Sequence, residues 1–448
     1  MTSSVDAMTV GLDEFFLAFP DDVEAFFTLA YGATHWGAIK SALARPPAYT
    51  SVRVNTLVTT QDKLVVALNA ALVDFNARLQ AQGRPTIAAV PHLSLSDVVI
   101  VPSAPRVTAP VDATTTKKII VDRLCGEAVL RGSDIFARGV MCASSALNAG
   151  DRVLVYVDLD HSATRGSDAE LHVGRKLCAD APPLNGVLSG DMYMQNTPSS
   201  VVAHVLSPQP GDTVLDMCAA PGGKTSHLAT LMQNRGTLIA CDRSRRKVLE
   251  MKAFFESVNL SIIVPIKLDS TQSVLPKQDI VPSVHQVITD ARAKDPQAKL
   301  LPITGFGAET FDKILLDPPC SALGLRPRLV HACNLTELEQ YSNMQRNFLW
   351  AAVFLLKPGG TLVYSTCTVN PKENEQMVAH ALDAYPLELV GQSPVLGEPG
   401  LLNQGLSADQ AAKVQRFDPA SASDTMGFFC AKFVKTKSIR ETTSSQNN

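Results

Sequence analysis

Short apolar runs alternate with longer, helix-like segments from about residue 185 onward. Each apolar run has the length of a buried strand, and helical stretches such as 226–232 separate the runs. The runs occupy residues 213–217, 237–241, 262–268, 313–316 and 361–364. Such an alternation is typical of a mostly parallel sheet with helices on its faces. The pattern therefore predicts an α/β domain over 185–436.

The residues before this domain show two other patterns. Residues 51–55 alternate like a strand and 62–82 have helical periodicity, so 1–115 is predicted to be a small α/β region that packs on the larger domain. Its last part, 101–116, is rich in Pro, Ala and Thr and is predicted to be a linker. Short β-branched runs separated by glycines then fill 116–180, and this spacing predicts a small β barrel.

Two further stretches are expected to lie outside the packed elements. Residues 271–310 are rich in Gln, Pro and Lys, which predicts a surface insertion between two strands of the larger domain. The polar end of the chain, 437–448, is predicted to be disordered.

Composition limits the class of protein. The chain has 448 residues, 46% of them hydrophobic, and a formal net charge of −3. These values exclude a disordered or fibrous protein and fit two or three domains of about 150 residues. No apolar run approaches the roughly 20 residues of a bilayer-spanning helix, and the acidic first residues are unlike a signal peptide. A soluble, cytoplasmic protein with no membrane partner is therefore expected.

The cysteine pattern and the charge distribution indicate which compartment, metals and partners to expect. The nine cysteines are odd in number, and none has the spacing of a disulfide framework or a zinc site. We therefore expect a reducing compartment and no metal. Six acids precede Lys40, the first basic residue, and without them the rest of the chain has a charge of +3. That balance is compatible with local basic surfaces for a polyanionic partner.

At 214–225 an apolar strand runs into a turn of small residues, and a helix follows. Small side chains let backbone N–H groups and the helix N-terminus approach a ligand closely. The turn ends in Gly-Lys-Thr, as in a phosphate-binding loop, but such a loop needs a glycine five positions before Gly223, where Cys218 stands. A nucleotide triphosphatase is therefore disfavoured.

An aspartate stands at or just after the end of four predicted strands. These residues are Asp216, Asp242, Asp269 and Asp317. Because the carboxyl ends of parallel strands meet at one edge of a sheet, the four acids are predicted to surround a single crevice. A single aspartate in such a place is more often a helix cap or a turn residue. Its recurrence at successive strands favours a ligand site, in which Asp242 is suited to accept hydrogen bonds from ribose hydroxyls.

Two cysteines follow strands on the same predicted edge. Cys320 comes after Asp-Pro-Pro, whose prolines restrict the backbone, and Cys367 comes after the run 361–364. A lone cysteine after a strand is usually a small buried hydrophobe. That interpretation is adopted for Cys142, Cys178, Cys241, Cys333 and Cys430. For Cys320 and Cys367 it is reversed, because both fall where the ligand is expected.

Four sequence motifs together resemble the Nop/Sun-domain RNA cytosine-5 methyltransferases over about 190–435. They are Asp-Met-Cys-Ala-Ala-Pro-Gly-Gly-Lys-Thr at 216–225, Asp-Pro-Pro-Cys-Ser at 317–321, Ser-Thr-Cys-Thr at 365–368 and Asn-Pro-Lys-Glu-Asn-Glu at 370–375. Upstream, 126–132 and 149–153 resemble a PUA domain, a small RNA-binding β barrel. That combination is similar to the subgroup of tRNA acceptor-end methyltransferases, whose members modify a cytosine near the 3′ CCA end.

The resemblance implies a Rossmann-like, class I methyltransferase fold with an inserted PUA barrel, and S-adenosylmethionine as cofactor. In this family Asp242 would bind the ribose hydroxyls and Asp269 the adenine amino group, while Asp317 would lie between cofactor and target base. The implied cofactor-binding residues are Cys218, Ala219, Ala220, Pro221, Gly222, Gly223, Lys224, Asp242, Lys247, Asp269 and Asp317. An exposed position on a helix is an equally good interpretation of Lys247.

The resemblance also implies a mechanism and a partner. Cys367 would be the nucleophile that adds to carbon 6 of cytosine, and Cys320 would assist release of the product. Asp317 would hydrogen-bond the base, and Lys224 would lower the pKa of the thiol or contact the base. The expected partner of a monomeric enzyme is RNA, with tRNA favoured and similar sites in mRNA included, and Arg131 is the candidate RNA contact in the barrel.

Two other functions remain open at this point. A noncatalytic RNA-binding scaffold could keep the fold, although both cysteines and the cofactor motifs speak against it. A DNA cytosine-5 methyltransferase also uses a Pro-Cys motif, but there the cysteine equivalent to Cys320 is the nucleophile. Since that family lacks the Ser-Thr-Cys-Thr motif, Cys367 separates the two enzyme classes.

Overall fold

The computed structural model describes residues 17–104, 117–172, 174–177, 180–276 and 280–439. Cys178, most of the predicted linker and the end of the predicted disordered tail lie outside these residues. Within them, no helix is both long enough and apolar enough to cross a lipid bilayer.

The N-terminal region combines four helices with a small antiparallel sheet. Its helices are α1 (Asp21–Tyr31), α2 (Ala33–Leu43), α3 (Gln61–Ala71) and α4 (Val73–Ala81), and its strands are β1 (Tyr49–Val54), β2 (Val90–Pro91) and β3 (Val98–Pro102). Strand β1 contains all but the last residue of the predicted strand 51–55, and the helical stretch predicted over 62–82 is confirmed as two helices, α3 and α4, which meet at Leu72. Leu68, Leu72 and Leu79 lie in one buried cluster, as residues four and eleven positions apart on a helical face do.

Residues 117–177 form a second small sheet. Its elements are β4 (Lys118–Val121), α5 (Arg123–Leu130), β5 (Val140–Ala143), β6 (Leu154–Val157) and β7 (Arg175–Lys176). The strand order is β5-β4-β6-β7, with β4 and β6 parallel. The short strands predicted here are confirmed, whereas the assignment to a PUA barrel stays a prediction. The chain then returns to the N-terminal sheet, where β8 (Met192–Met194) pairs with β1.

An eight-stranded sheet forms the centre of the remaining chain. Its strands are β9 (Thr213–Asp216), β10 (Thr237–Asp242), β11 (Ile263–Lys267), β12 (Phe311–Leu316), β13 (Leu356–Thr366), β14 (Leu387–Leu389), β15 (Gln415–Phe417) and β16 (Phe428–Lys435). The order is β11-β10-β9-β12-β13-β16-β14, and β15 pairs with β16. The first five strands are mutually parallel, while β14, β15 and β13 pair antiparallel with β16. The mostly parallel sheet predicted from the apolar runs is therefore confirmed.

Helices cover both faces of this sheet. They are α6 (Thr197–Leu206), α7 (Gly223–Leu231), α8 (Arg245–Ser257), α9 (Val284–Lys294), α10 (Leu335–Leu355), α11 (Glu375–Ala384) and α12 (Ala408–Ala411). Two buried clusters, one on each face, contain alternate side chains of the same strands: Leu215 and Ile314 lie in one, Val214 and Leu315 in the other. This alternation is what a strand buried on both faces produces.

The stretch 271–310 lies between β11 and β12 as predicted, but the expectation that it is confined to the surface is wrong. Helix α9 buries Val284, Ile288 and Ala291 against the sheet, and Phe306 is fully buried in the same cluster. Many of the polar residues in this stretch lie on the outer face of α9, which is amphipathic. Its apolar residues, spaced three and four positions apart, form the inner face.

Candidate active site

The carboxyl ends of five neighbouring parallel strands meet at one edge of the sheet. In spatial order, the residues at or just beyond these ends are Asp269 after β11, Asp242 on β10, Asp216 on β9, Asp317 after β12 and Cys367 after β13. Ligands of open α/β sheets bind at this edge. The two halves of the site proposed from the sequence are therefore adjacent along a single line of strand ends.

The loop between β9 and α7 has the shape expected of a cofactor cradle. Gly222 has a φ of +105°, a left-handed conformation that favours glycine, and a Cβ there would lie 2.9 Å from the ring of Phe255. The loop is fixed to the next strand by a hydrogen bond from the Ala219 N–H to the carbonyl of Cys241, at 2.8 Å. Helix α7 begins at Gly223, three residues earlier than predicted, so its first N–H groups point to the sheet edge.

Three polar side chains stand beside this loop. Asp242 is half-buried and accepts a hydrogen bond from the Ser244 N–H at 2.7 Å. Asp269 is also half-buried, accepts from Thr271 through Oδ1, and borders a cavity of about 370 Å³. Lys247 is exposed in the first turn of α8. The structure thus places the two acids at the strand-end edge and Lys247 on the exposed surface of α8.

These residues fit S-adenosylmethionine. The cofactor carries an amino group on adenine, two ribose hydroxyls and a positive sulfonium. Asp242 and Asp269 offer carboxylate oxygens for donors of that kind, and the small residues from Cys218 to Gly223 leave room for close backbone approach. Asp216, by contrast, is buried, and burial raises its pKa to about 7. Its Oδ2 accepts a hydrogen bond from Oγ1 of Thr225 at 2.7 Å, so this acid stabilises the junction between the loop and α7.

The reactive half contains two cysteine thiols in contact. Sγ of Cys320 lies 3.3 Å from Sγ of Cys367. Donation of this hydrogen bond raises the pKa of Cys320, and burial raises it further. Acceptance of the same hydrogen bond lowers the pKa of Cys367. Burial and the nearby acids Asp317 and Glu373 act in the opposite direction, and the Lys224 ammonium lowers the pKa further. Of the two thiols, Cys367 is therefore the more acidic and Cys320 the less acidic.

Asp317 joins the two halves of the site. Its Oδ2 accepts from Nζ of Lys224 at 2.7 Å and its Oδ1 from Oγ of Ser365 at 2.8 Å. Burial would lower the pKa of Lys224, but the Asp317 carboxylate outweighs it and raises the pKa. Lys224 is thus a positively charged side chain fixed by its ion pair with Asp317. Its Nζ also lies 5.3 Å from the ring centroid of Phe428.

Sequence reasoning assigned no role to Glu373, although the residue lies in the 370–375 motif. Its buried carboxylate accepts hydrogen bonds from the Ser321 N–H at 3.0 Å, from Gln345 at 2.8 Å and from Asn370 at 2.9 Å. It also accepts from Oγ of Ser321. The loop that follows Cys367 thereby holds the residue next to Cys320. No spacing rule predicts the contacts with Ser321 and Gln345, because these partners are 52 and 28 residues away in the sequence.

Arg131 lies at the end of α5 and borders a cavity of about 310 Å³. The lining also includes Tyr49 on β1, Met194 on β8 and Thr197 at the start of α6. Met426, two residues before β16, completes the lining. The cavity thus lies where the segment 117–177, the N-terminal sheet and the larger domain meet.

The remaining cysteines were predicted to be small buried side chains. Cys142, Cys241 and Cys430 are buried and free, as predicted, while Cys333 is half-buried. Burial raises the pKa of Cys241 to about 12. None of these four has the paired geometry of Cys320 and Cys367 among the described residues.

Comparison with known proteins identifies the family. A sequence profile described as 16S rRNA methyltransferase RsmB/F matches residues 203–434, more than half of the chain. The tRNA (cytosine(72)-C(5))-methyltransferase NSUN6 of Mus musculus is 35% identical, over 89% of this chain and 89% of that protein. The rRNA (cytosine-C(5))-methyltransferase NOP2C of Arabidopsis thaliana is 32% identical, over 92% of this chain and 90% of that protein.

A solved structure agrees with these relatives. The crystal structure of NSun6 from Pyrococcus horikoshii with SFG, an S-adenosylmethionine analogue, matches with a TM-score of 0.68 and 28% identity. The match covers 94% of this chain and 99% of that one. The DNA methyltransferase alternative is thereby set aside. The chain has a class I methyltransferase fold and belongs to the Sun/Nop family of S-adenosylmethionine-dependent RNA cytosine-5 methyltransferases.

Proposed function

We propose that the protein methylates carbon 5 of a cytosine near the 3′ acceptor end of tRNA, through a covalent bond between Cys367 and carbon 6 of the base. The observation that carries the chemical part is the contact between Cys320 and Cys367 at the cofactor edge, with the lower pKa at Cys367. The substrate is proposed from the 35% identity to a tRNA (cytosine(72)-C(5))-methyltransferase over most of both chains.

Carbon 5 of cytosine is a weak nucleophile, so a thiolate must activate it. The Cys367 thiolate forms a bond from sulfur to carbon 6, and the electron pair of the 5,6 double bond moves to carbon 5. Bound S-adenosylmethionine supplies the methyl group that carbon 5 takes. The proton on carbon 5 then passes to solvent water, the electron pair of the broken C–H bond restores the 5,6 double bond, and the bond from carbon 6 to sulfur breaks to release the Cys367 thiolate.

Asp317 is suited to hold the base during addition. Lys224 and Ser365 each occupy one oxygen of this carboxylate, and each oxygen retains a further lone pair. These lone pairs can accept from the exocyclic amine and from the protonated ring nitrogen, which stabilises the charge that develops on the ring. Lys224, beside Asp317, keeps positive charge near the thiolate.

Cys320 is proposed to act in release. Its pKa is raised, so it stays a neutral thiol that donates to Cys367. In the expulsion step the Cys320 S–H donates a hydrogen bond to the sulfur of Cys367 and stabilises the thiolate that forms as the bond to carbon 6 breaks. Loss of Cys320 should therefore slow the last step and not the first.

The RNA contact is proposed at 117–177, the segment that resembles a PUA domain, together with the cavity beside Arg131. A cytosine must leave its stack to reach the sheet edge, at a cost of a few kcal/mol that is lowest near a duplex end. An acceptor end meets that condition. A guanidinium at the mouth of the cavity is suited to a phosphate or a base edge.

The substrate is tested by mapping 5-methylcytosine after incubation with S-adenosylmethionine and defined RNAs. We expect methylation of tRNA transcripts at the acceptor end and of hairpins with the same end sequence, whether from tRNA or mRNA. Because one relative is an rRNA methyltransferase, rRNA fragments are the comparison. Methylation of rRNA fragments with tRNA left unmodified would overturn the tRNA assignment.

The mechanism is tested with Cys367→Ala, Cys320→Ala and, as a matched control, Cys333→Ala. On denaturing gels with labelled RNA, Cys320→Ala should accumulate a covalent protein–RNA band, and Cys367→Ala should form neither band nor product. Cys333→Ala should turn over normally. A band that survives in Cys367→Ala and requires Cys320 would exchange the two roles. Normal turnover in both active-site variants would show that the pair is structural.

A further inference from the structure

The N-terminal sheet lies directly against the first turn of α7, the helix that follows the cofactor loop. Arg53 on β1, Tyr193 on β8 and Asp97 just before β3 all contact this turn or its neighbour. A Cβ at Gly223 would lie 2.8 Å from the Tyr193 ring, so the helix start is packed against the sheet without a gap. The contact joins two parts of the chain that are about 170 residues apart in sequence.

Arg53 is the centre of this contact. It is 3% exposed, and its Nε donates to Oε1 of Gln195 at 2.8 Å. Its Nη2 donates to Oγ of Ser226 at 2.7 Å, and that hydroxyl in turn donates to the carbonyl of Gly223 at 3.0 Å. Nη2 also lies 3.4 Å from the same carbonyl. A buried guanidinium thus fixes the peptide that precedes Lys224, directly and through one hydroxyl.

A second anchor holds the next turn. Oδ2 of Asp97 accepts from Nε2 of His227 at 2.7 Å, and Oδ1 accepts from Nε2 of His204 on α6 at 2.8 Å. Burial lowers the pKa of His227 to about 4, so its imidazole is neutral. Burial would raise the pKa of Asp97, but the two imidazole donors outweigh it and hold the carboxylate ionised.

The same three side chains are a set that can ligate a metal, since their donor atoms lie within 4.8 Å of one another. The hydrogen bonds explain the cluster better. Nδ1 of His227 is buried and has no hydrogen-bond partner among the described residues. A metal on Nε2 would force a proton onto this nitrogen, whereas metal-bound histidines normally donate that proton to a partner. As a neutral Nε2–H donor to Asp97, His227 leaves only an acceptor unpaired.

We propose that Arg53 is a positioning residue for the cofactor loop, and that the N-terminal sheet acts through Arg53 and Ser226 to aim the Gly222–Gly223–Lys224 turn at the cofactor. The inference rests on the proposed role of this loop in binding S-adenosylmethionine. Gly222 and Gly223 have no side chains with which to fix the turn, so its backbone is oriented by the groups that contact it. Among these groups, Arg53 is the charged donor to the Gly223 carbonyl, directly and through Ser226.

The test measures S-adenosylmethionine binding by calorimetry in the full-length protein, with tRNA affinity and melting temperature alongside. Arg53→Met should raise the cofactor Kd at least tenfold and leave the Kd for tRNA within twofold. Arg53→Lys should recover part of the affinity, because one ammonium can reach Ser226 but cannot form the fork to Gln195. Ser226→Ala removes the relay without removing the charge and should raise the cofactor Kd severalfold.

Arg84→Met is the matched control. Arg84 belongs to the same region and pairs with Asp180 at 2.7 Å, away from α7. This variant should lower the melting temperature but keep the wild-type cofactor Kd. An unchanged cofactor Kd in folded Arg53→Met overturns the inference, and if that variant does not fold, an unchanged Kd in Ser226→Ala overturns it. A loss of tRNA affinity with cofactor binding intact would reassign Arg53 to the RNA surface.

The same measurements separate this inference from the proposed function. Asp242→Ala reports whether the loop edge is the cofactor site at all. If Asp242→Ala leaves the cofactor Kd unchanged, the proposed cofactor site fails. If Asp242→Ala weakens binding and both Arg53→Met and Ser226→Ala do not, only the positioning role fails.

Discussion

The two acids at the cofactor edge differ from Asp216 in their surroundings. Asp242 and Asp269 are half-buried and accept few internal hydrogen bonds, so they keep capacity for a ligand. Replacement of either by Ala should weaken S-adenosylmethionine binding about ten- to a hundredfold, the equivalent of a lost hydrogen bond to a charged group, roughly 1.5–3 kcal/mol. Calorimetric titration of the folded variants checks this, with Asp290→Ala on the exposed face of α9 as control. Unchanged binding would overturn the assignment.

Lys224 is one of the groups that lower the pKa of Cys367. The Cys367 pKa is lowered first by the hydrogen bond from Cys320 and also by the Lys224 cation. Removal of that cation in Lys224→Met should raise the Cys367 pKa. Because the thiolate is the reactive form, the acid limb of kcat/KM against pH should then move to higher pH. Activity at neutral pH should fall about a hundredfold, as for loss of one charged stabilising group in an active site.

The pH profile distinguishes this role from simple cofactor binding. Lys252→Met is the control, since Lys252 is a lysine on α8 paired with Glu256 four residues later. Its profile should match the wild type. If Lys224→Met lowers kcat/KM equally at every pH, Lys224 acts on the base or cofactor and does not tune the thiol.

At the residue scale, the sequence predicted the site residues that lie at the ends of recognisable strands. Cys320, Cys367 and the strand-end acids follow apolar runs, so their common edge was deducible. Arg53 and Glu373 were not. A buried arginine on β1 reads as an ordinary polar position of a strand, and only tertiary packing brings it to Ser226.

Among the elements, the loop between β13 and α11 is the one whose side chain holds the residue next to Cys320. Its Glu373 accepts four hydrogen bonds, two of them from Ser321 beside Cys320. Glu373→Gln replaces one acceptor oxygen by an amide donor that faces other donors, so the loop should shift. We expect a loss of about 1–3 kcal/mol in the free energy of unfolding. We also expect a covalent protein–RNA band like that of Cys320→Ala, because the release thiol is displaced.

Urea unfolding and the denaturing gel check the two parts separately. Glu339→Gln is a suitable control, since Glu339 is an exposed carboxylate on α10 paired with Lys372. It should change neither measurement by much. A destabilised Glu373→Gln enzyme with no accumulated band would show that the loop supports the fold and does not position Cys320.

Element predictions succeeded where one pattern decides the outcome. The parallel strands are apolar throughout because both faces are buried, and all five were found within a few residues. Errors arose where tertiary contacts decide. The break between α3 and α4 at Leu72 contains no glycine or proline from which the sequence could predict it. The buried face of α9 consists of only three or four apolar residues in a mostly polar segment.

At the scale of the whole molecule, Arg131 of the segment 117–177 borders a cavity that is also lined by residues of the N-terminal sheet and of the larger domain. If Arg131 contacts the RNA backbone, Arg131→Ala should raise the KM for tRNA and leave the Kd for S-adenosylmethionine unchanged. Each phosphate contact contributes about 0.7 to 0.9 to the slope of log affinity against log salt. The variant should therefore bind tRNA with a slope smaller by about one.

The control for this prediction is Arg235→Ala. Arg235 is exposed just before β10, at the opposite edge of the sheet from the strand ends that carry the site. Its loss changes the net charge of the protein by the same amount, so it reports any general electrostatic effect on RNA association. Filter binding at several salt concentrations gives both slopes. Equal slopes for the two variants would show that Arg131 acts only through overall charge, and the cavity beside it would then have no part in RNA recognition.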